Sequence, residues 1–519
     1  FNCSLRLVGN ILIPILDLAV PASGSKSRRL MWMPQYINAH SIVRFPLFVQ
    51  LCQFVNNKSI HFSEIIFGYN IHINGLFHCT ARYKQLYNLH VQLSKDLDML
   101  LPIFPPKKFF PLTTTQQEER RLALEKYIQS IGQNIAINNS EILNGFLLSA
   151  QLESVNGLSE QETLDIFLMS GSKISLNISP EEHSGKVLER IYKHIKLVEK
   201  YHFHFALFII TQDELSGSIK ILRKLQNFES PFITYKYMSS TNTRIVLRKN
   251  YWDTAYDVEL LNDPVTLNLL YVQAAAEIRS GWIPAVTKEV QHQLENLQKS
   301  ESRKEYLNVV RLLKYYGYIQ FAPCYCDYPE SSSKVLLAIG KNELNLRVLS
   351  SKEHEIAFKV SRMRCWRITT IQNGTDHHKD NNECSLELSF EYLIARNELQ
   401  WITIVSEQAI LMSVCLQAMI DELLQKCVVG SKTQTESGKS WTYIMRDGQS
   451  RTITGSPLQE CVNNNHSKSG PIIKKLANKW STVTSKKSDD SRGVIDKTQT
   501  TDLDVMENNV FRMIGDDDL

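Results

Sequence analysis

Residues 69–84 read YNIHINGLFHCTARYK. Tyr69, Ile71 and Ile73 alternate with polar residues, Asn74-Gly75 is a two-residue turn, and Leu76 opens the return run, a hairpin signature. Behind Arg82-Tyr83-Lys84 the period changes. Leu86, Leu89, Leu93 and Leu97 then recur at helical spacing, which predicts one buried helix face. Residues 101–108 follow as LPIFPPKK. The prolines forbid a helix there and predict an extended loop presenting Lys107 and Lys108. A second helix is expected from about Gln116 to Ile131, with Leu124, Tyr127, Ile128 and Ile131 on one side, and a third after Ser140. Arg82, Lys107 and Arg120 are thus three separated cations around a proline loop. Arg offers a planar fork for a phosphate and Lys a compact charge.

Arg82-Tyr83, the Pro-Pro-Lys loop and Arg120-x-x-x-Leu124-x-x-Tyr127 resemble the PX (phox-homology) domain. The resemblance implies a phosphatidylinositol 3-phosphate pocket. In it Arg82 grips the 3-phosphate, Tyr83 stacks on the inositol ring, Lys107 takes the 1-phosphate and Arg120 the ring hydroxyls, with Lys84 contributing through its backbone. Ala81 stands where many PX domains carry a further Arg. The opening strand looks short, with His61-Phe62-Ser63 resembling a family start, so the domain is expected over 61–155. Residues 1–60 are left as an unassigned extension. The apolar run Ile11–Val20 is broken by Pro14 and Asp17 and preceded only by Arg6, a poor match to a secretory signal.

Downstream, Leu164, Ile166 and Leu168 alternate, Ser170-Gly171-Ser172 turns, and Ile174, Leu176 and Ile178 alternate back. An amphipathic helix carrying Val187, Leu188, Ile191 and Ile195 and a strand near Phe205–Ile210 complete a ββαβ order, the opening of a ubiquitin-like fold over 160–251. Residues 252–320 read as helical. Asp263-Pro264 is an N-cap followed by proline at the first helical position, Gly281 ends that helix, and Ser302-x-x-Glu305 is a capping box. From 321 to 430 six strand-like runs precede one long helix carrying Ala409, Met412, Leu416, Met419 and Leu423, the order of a PH/PTB-type barrel. Ubiquitin-like, helical and PTB-like lobes in this order resemble a FERM module. PX before FERM resembles the small PX-FERM group of sorting nexins, and Tyr315-Tyr316-Gly317-Tyr318, Arg362-Met363-Arg364-Cys365-Trp366-Arg367 and Leu399-Gln400-Trp401 sharpen the match. The expected fold class is therefore α+β and multidomain, with a disordered C-terminal tail. The resemblance implies cargo recognition: Asn-Pro-x-Tyr (NPxY) or Asn-x-x-Tyr (NxxY) motifs in cytoplasmic receptor tails, of the LDL-receptor-family and integrin-beta type, add as a strand beside Cys365–Thr369. Cys365, Trp366 and Arg367 are the expected peptide contacts, and Ile420 walls the groove from the helix.

Residues 431–507 are rich in Ser, Thr, Lys, Asn and Gly and read as a flexible linker. The chain closes on NNVFRMIGDDDL, residues 508–519. Ile514, Gly515, Asp516, Asp517, Asp518 and Leu519 resemble the acidic terminus by which a member of this group recruits the retriever recycling complex. Asn508-x-x-Phe511 is itself similar to a cargo motif, so the tail is expected to occupy its own groove and compete with cargo.

Composition narrows the function classes. Of 519 residues 43% are hydrophobic, and 58 Lys+Arg stand against 54 Asp+Glu, so a whole-protein basic footprint for nucleic acid is absent. No apolar run reaches the ~20 residues of a membrane-spanning helix. The 10 cysteines contain no Cys-x-x-Cys, and Cys324-Tyr325-Cys326 lacks a second zinc-type pair, so no metal or cofactor is expected and the thiols read as reduced and cytoplasmic. No Gly-x-x-x-x-Gly-Lys, Gly-x-Ser-x-Gly or His-Glu-x-x-His occurs, and His78-Cys79 has Gln85 where a tyrosine phosphatase needs Arg. The expectation is a non-enzymatic monomeric adaptor, peripheral on the cytoplasmic side of early endosomes. The alternative is a FERM-type membrane–cytoskeleton linker or small-GTPase-binding scaffold.

Overall fold

A computed structural model describes residues 5–8, 11–14, 49–56, 66–97, 101–108, 112–155, 159–213, 218–238, 242–284, 287–349, 354–372, 384–395, 398–430, 440–444, 450–454 and 499–508. After a short hairpin of Leu5–Val8 with Ile11–Pro14 comes a sheet of three antiparallel strands, β1 (Val49–Asn56), β2 (Ile66–Ile73) and β3 (Leu76–Ala81). The turn between β2 and β3 places both Asn74 (φ 50°) and Gly75 (φ 83°) in the left-handed region, as a two-residue hairpin of this type requires. Three helices cover the sheet: α1 (Tyr83–Asp96), α2 (Thr114–Gln133) and α3 (Glu141–Glu153). Leu86, Leu89 and Leu93 of α1 and Leu124, Tyr127, Ile128 and Ile131 of α2 are buried against Ile71, Ile73 and Cys79. The expected start at 61 is corrected. β1 comes from within the stretch assigned to the extension and pairs with β2 from Val49↔Ile73 to Asn56↔Ile66, because a hairpin of two strands buries too little on its own.

The next lobe is ubiquitin-like. β4 (Glu162–Leu168), β5 (Lys173–Ile178), α4 (Ser184–Ile195), β6 (Phe205–Gln212), β7 (Ile219–Lys224) and β8 (Thr243–Lys249) form a sheet of order β5-β4-β8-β6-β7. β8 lies parallel to β4. The helical lobe contains α5 (Pro264–Arg279), α6 (Lys288–Lys299) and α7 (Arg303–Val310). Asp263 caps α5 by accepting from the Val265 and Thr266 amides. The capping box expected at Ser302 does not form: Ser302 makes no side-chain cap bond. Glu301 before it takes a left-handed turn (φ 53°), and the Ser302 hydroxyl pairs with that of Ser300.

The third lobe has β9 (Cys324–Cys326), β10 (Ser333–Gly340), β11 (Glu343–Val348), β12 (His354–Lys359), β13 (Met363–Gln372), β14 (Cys384–Ala395) and β15 (Glu398–Val405). The long helix α8 (Ala409–Gly430) closes it. A further strand, β16 (Gln499–Glu507), comes from the tail and pairs antiparallel with β13, so the sheet runs β12-β11-β10-β9-β15-β14-β13-β16. This corrects the reading of 431–507 as linker throughout: its last nine residues and two short paired strands, Ser440–Ile444 and Ser450–Thr454, are ordered by backbone pairing.

The lobes are pinned together by buried polar contacts. Gln151 of α3 is fully buried, donating to Thr234 Oγ1 (2.9 Å) and accepting from the Ser230 amide (2.8 Å). Glu422 of α8 accepts from the amides of Trp252 and Asp253, and Gln408 donates to the Ile221 carbonyl. The hairpin turn of the first module also reaches the third lobe, where a Cβ at Gly75 would lie 3.2 Å from Ile410 Cδ1.

Candidate functional site

Two sites stand on this frame. The first is built where β3 runs into α1. Arg82 is the exposed N-cap residue of α1, and its amide donates to Gln85 Oε1. Tyr83 donates its hydroxyl to the Pro105 carbonyl (2.8 Å), tying the proline loop to the helix start. Phe104 anchors the same loop, 5.0 Å from the His90 ring and 4.9 Å from that of Tyr127. Arg120, from α2, lays its guanidinium 4.5 Å from the centre of the Tyr83 ring, and one of its terminal nitrogens is buried with no hydrogen-bond partner among the described residues. Burial raises the Tyr69 hydroxyl pKa and the charge of Arg120 opposes that rise. Lys84 and Lys107 are exposed. The structure therefore joins Tyr83, Arg120 and the Pro105 segment directly and sets Arg82, Lys84 and Lys107 on the elements around them. Sequence reasoning missed Phe104 and His90, whose stacking holds the loop.

The second site is the edge of β13. Cys365–Gln372 pair on one side with β14 and on the other with β16, from Cys365↔Glu507 to Gln372↔Gln499. Asn508 ends the added strand. Its amide donates to the Arg364 carbonyl (2.9 Å), and its side-chain nitrogen donates to the carbonyls of Val360 (2.7 Å) and Met363 (2.6 Å). The residue is 3% exposed. The Asn508 side chain meets the chain where Val360–Arg362 is a short 3₁₀ turn, the Val360 carbonyl also accepting the Met363 amide, and where the β13 register shifts between Met363 and Cys365.

Trp366, expected as a peptide contact, turns its side chain into the lobe. It is fully buried in the barrel core and donates its indole N–H to Ser413 Oγ of α8 (2.9 Å). Alternation along a strand sends Met363, Trp366 and Ile368 inward. Ile420, 1% exposed, belongs to the same core. Trp366 thus ties the receiving strand to the helix that closes the barrel. Cys365 is also buried, its thiol 3.6 Å from Glu391, and Arg367 sits over the Trp401 ring, 4.8 Å from its centre. Arg364 pairs with the buried Glu391. Ile514, Gly515, Asp516, Asp517, Asp518 and Leu519 lie outside the described residues, as does Phe511.

Comparison with known proteins gives the same division of the chain. Residues 69–150 match the PX domain. Residues 162–252 match the FERM F1 lobe of sorting nexins 17, 27 and 31, residues 253–314 the F2 lobe of sorting nexins 17 and 31, and residues 317–424 the sorting nexin 17 FERM C-terminal domain. Sorting nexin-17 of Danio rerio is 41% identical over 87% of this chain and 96% of its own length, and that of Homo sapiens 39% over the same shares. Sorting nexin-31 of Homo sapiens is 32% identical over 74% of this chain and 88% of its own length. With its PX module, its three FERM lobes in order and relatives this similar along most of its length, the chain belongs to the PX-FERM sorting nexins.

Proposed function

We propose that this protein is an endosomal sorting adaptor. The Arg82–Tyr83–Arg120 pocket takes phosphatidylinositol 3-phosphate, and the β13 edge takes NPxY or NxxY segments of receptor tails. Residues Ile514–Leu519 recruit the retriever complex, so that cargo returns to the surface instead of going to the lysosome. One observation carries the cargo assignment. The chain's own segment 499–508 lies on the β13 edge as an added strand, with the Asn508 amide on the Val360 and Met363 carbonyls. An edge that accepts backbone pairing and then reads an Asn side chain has the chemistry an Asn-x-x-aromatic peptide needs. Asn508 itself begins such a motif, Asn508-x-x-Phe511. Tail and cargo are then alternative occupants of one groove.

The experiment is peptide binding to the full chain and to a chain ending at Thr498, combined with sedimentation on phosphatidylinositol 3-phosphate vesicles. The truncated chain is expected to bind an NPxY peptide more tightly. Vesicle binding is expected to be unchanged by truncation and lost in Arg82→Ala. Equal peptide affinities in the two chains would sink the competition, and headgroup-blind vesicle binding would sink the lipid assignment.

A further inference from the structure

The strand β16 carries a pattern that groove pairing does not require. In Thr501-Asp502-Leu503-Asp504 a hydroxyl is followed by carboxylates one and three places on. An acidophilic serine/threonine kinase reads such a segment, because its basic substrate cleft pairs with carboxylates just after the acceptor. The spacing alone singles out nothing. Ser159-Glu160-Gln161-Glu162 has it too, with Ser159 and Glu160 exposed between the first module and the ubiquitin-like lobe. What sets Thr501 apart is where its backbone lies.

Thr501 stands across from Thr370 of β13, and Thr370 across from Leu386 of β14. Residues opposite one another on antiparallel strands share a face of the sheet. Leu386 packs against the barrel core. The neighbouring row is Asp502, Thr369 and Glu387. Over Gln499–Leu503 the facing rows are Ile368–Gln372 of β13 and Cys384–Leu388 of β14, and neither stretch contains a lysine or arginine. A phosphate on Thr501 would bring a charge of about −1.5 to −2 into a row whose neighbours are an apolar side chain and, one row on, a carboxylate. The water it sheds on pairing is replaced by no cation of those rows, so the paired state is penalised and the free, hydrated tail is not.

We propose that Thr501 is a phosphorylation site that locks the tail out of the β13 groove; this rests on tail and cargo being alternative occupants of that groove. In the transfer the Thr501 hydroxyl oxygen bonds to the γ-phosphorus of ATP. The bond from that phosphorus to the β–γ bridging oxygen breaks, ADP leaves, and the hydroxyl proton passes to solvent. A backbone paired along β13 cannot also lie extended in a kinase cleft, so only the released tail is a substrate. Cargo makes the site available, and the phosphate keeps the groove open after that cargo has left. The groove then holds a record of past occupancy until a phosphatase hydrolyses the ester.

The test uses the full chain, casein kinase II, ATP and an NPxY peptide. Peptide mapping is expected to place phosphate on Thr501 and on Ser159. Saturating peptide should speed labelling of Thr501 several-fold and leave that of Ser159 unchanged. The phosphorylated full chain should bind the peptide as tightly as the chain ending at Thr498 does. In Thr501→Val the kinase should still label Ser159 and leave peptide affinity where it was. Label on Ser159 with none on Thr501 would overturn the inference, as would labelling of Thr501 at a rate blind to the peptide. If truncation at Thr498 tightens peptide binding and phosphorylation does not, the phosphate switch alone fails. If truncation changes nothing, the shared-groove reading fails and takes the switch with it.

Discussion

Asn508 satisfies two backbone carbonyls, Val360 and Met363, with one side-chain amide. Changing it to Ala removes both bonds, a loss of about 1–3 kcal/mol at roughly 0.5–1.5 each. The tail should leave the groove more readily, and an NPxY peptide should bind the full-length Asn508→Ala protein several-fold tighter than wild type by calorimetry. The same scale holds the proposed lipid pocket. Arg120 offers a buried terminal nitrogen without a hydrogen-bond partner among the described residues, beside the Tyr83 ring. Arg120→Ala should weaken phosphatidylinositol 3-phosphate binding by about 1.5–3 kcal/mol, the range of a hydrogen bond to a charged group. Surface plasmon resonance on vesicles would show no change if Arg120 only braces Tyr83. The cations around the loop were legible in the sequence because their residue types and spacing carry the chemistry. Phe104 and His90 were not, because an aromatic in a proline-rich loop does not announce which ring it will meet.

At the scale of elements, the two walls of the groove are one packed unit, joined by the Trp366 indole and Ser413. Trp366→Ala should cost about 3–5 kcal/mol as a buried aromatic truncation, so loss of cargo binding in that variant would report unfolding of the lobe. Trp366→Phe keeps an aromatic ring but loses the donor, about 1 kcal/mol, and leaves a small cavity where the second ring of the indole stood. It should retain cargo binding with a modestly lowered melting temperature; abolished binding without unfolding would instead give the indole N–H a direct part in recognition. The barrel strands and α8 were legible because each carries its own apolar period. The strand β16 was not. Residues 499–507 read QTTDLDVME, in which only Leu503 and Val505 alternate, too short an apolar run to mark a strand, and they become one because β13 lends an unpaired edge. β1 was missed for a related reason: it closes a sheet whose other strands alone were visible. The Ser302 box failed because the left-handed Glu301 sets the chain's entry to α7 differently.

Across the whole molecule the first module is packed against the ubiquitin-like lobe around His78. Its Nε2–H donates to the Leu147 carbonyl (3.1 Å), and its Nδ1 faces Glu229 at 4.0 Å. Burial lowers its pKa from 6.5 to about 4, against the pull of Glu229. Between those values the unfolded chain takes up a proton that the folded chain refuses. This contribution to stability is therefore intact above about 6.5, is lost as pH falls toward about 4, and changes no further below. The loss is on the order of 3 kcal/mol. Melting temperatures should fall on acidification more steeply in wild type than in His78→Gln; parallel curves would show that the ring does not control the interface. Gly75→Val tests the other junction. Its left-handed backbone costs a side chain about 1–2 kcal/mol, and the new Cβ would meet Ile410. A lower melting temperature and a more extended small-angle scattering profile are expected.

The strand that covers the groove belongs to the same chain as the groove. Its hold does not loosen on dilution, because tethering fixes the local supply of competitor, at up to millimolar levels for short flexible tethers and less for longer ones. A soluble peptide must exceed that supply in the bulk. A receptor tail beside an adaptor already seated on the same membrane meets it at the surface, where both are concentrated in two dimensions. The plugged edge would then act as a density threshold, ignoring scattered tails and responding where receptors are gathered.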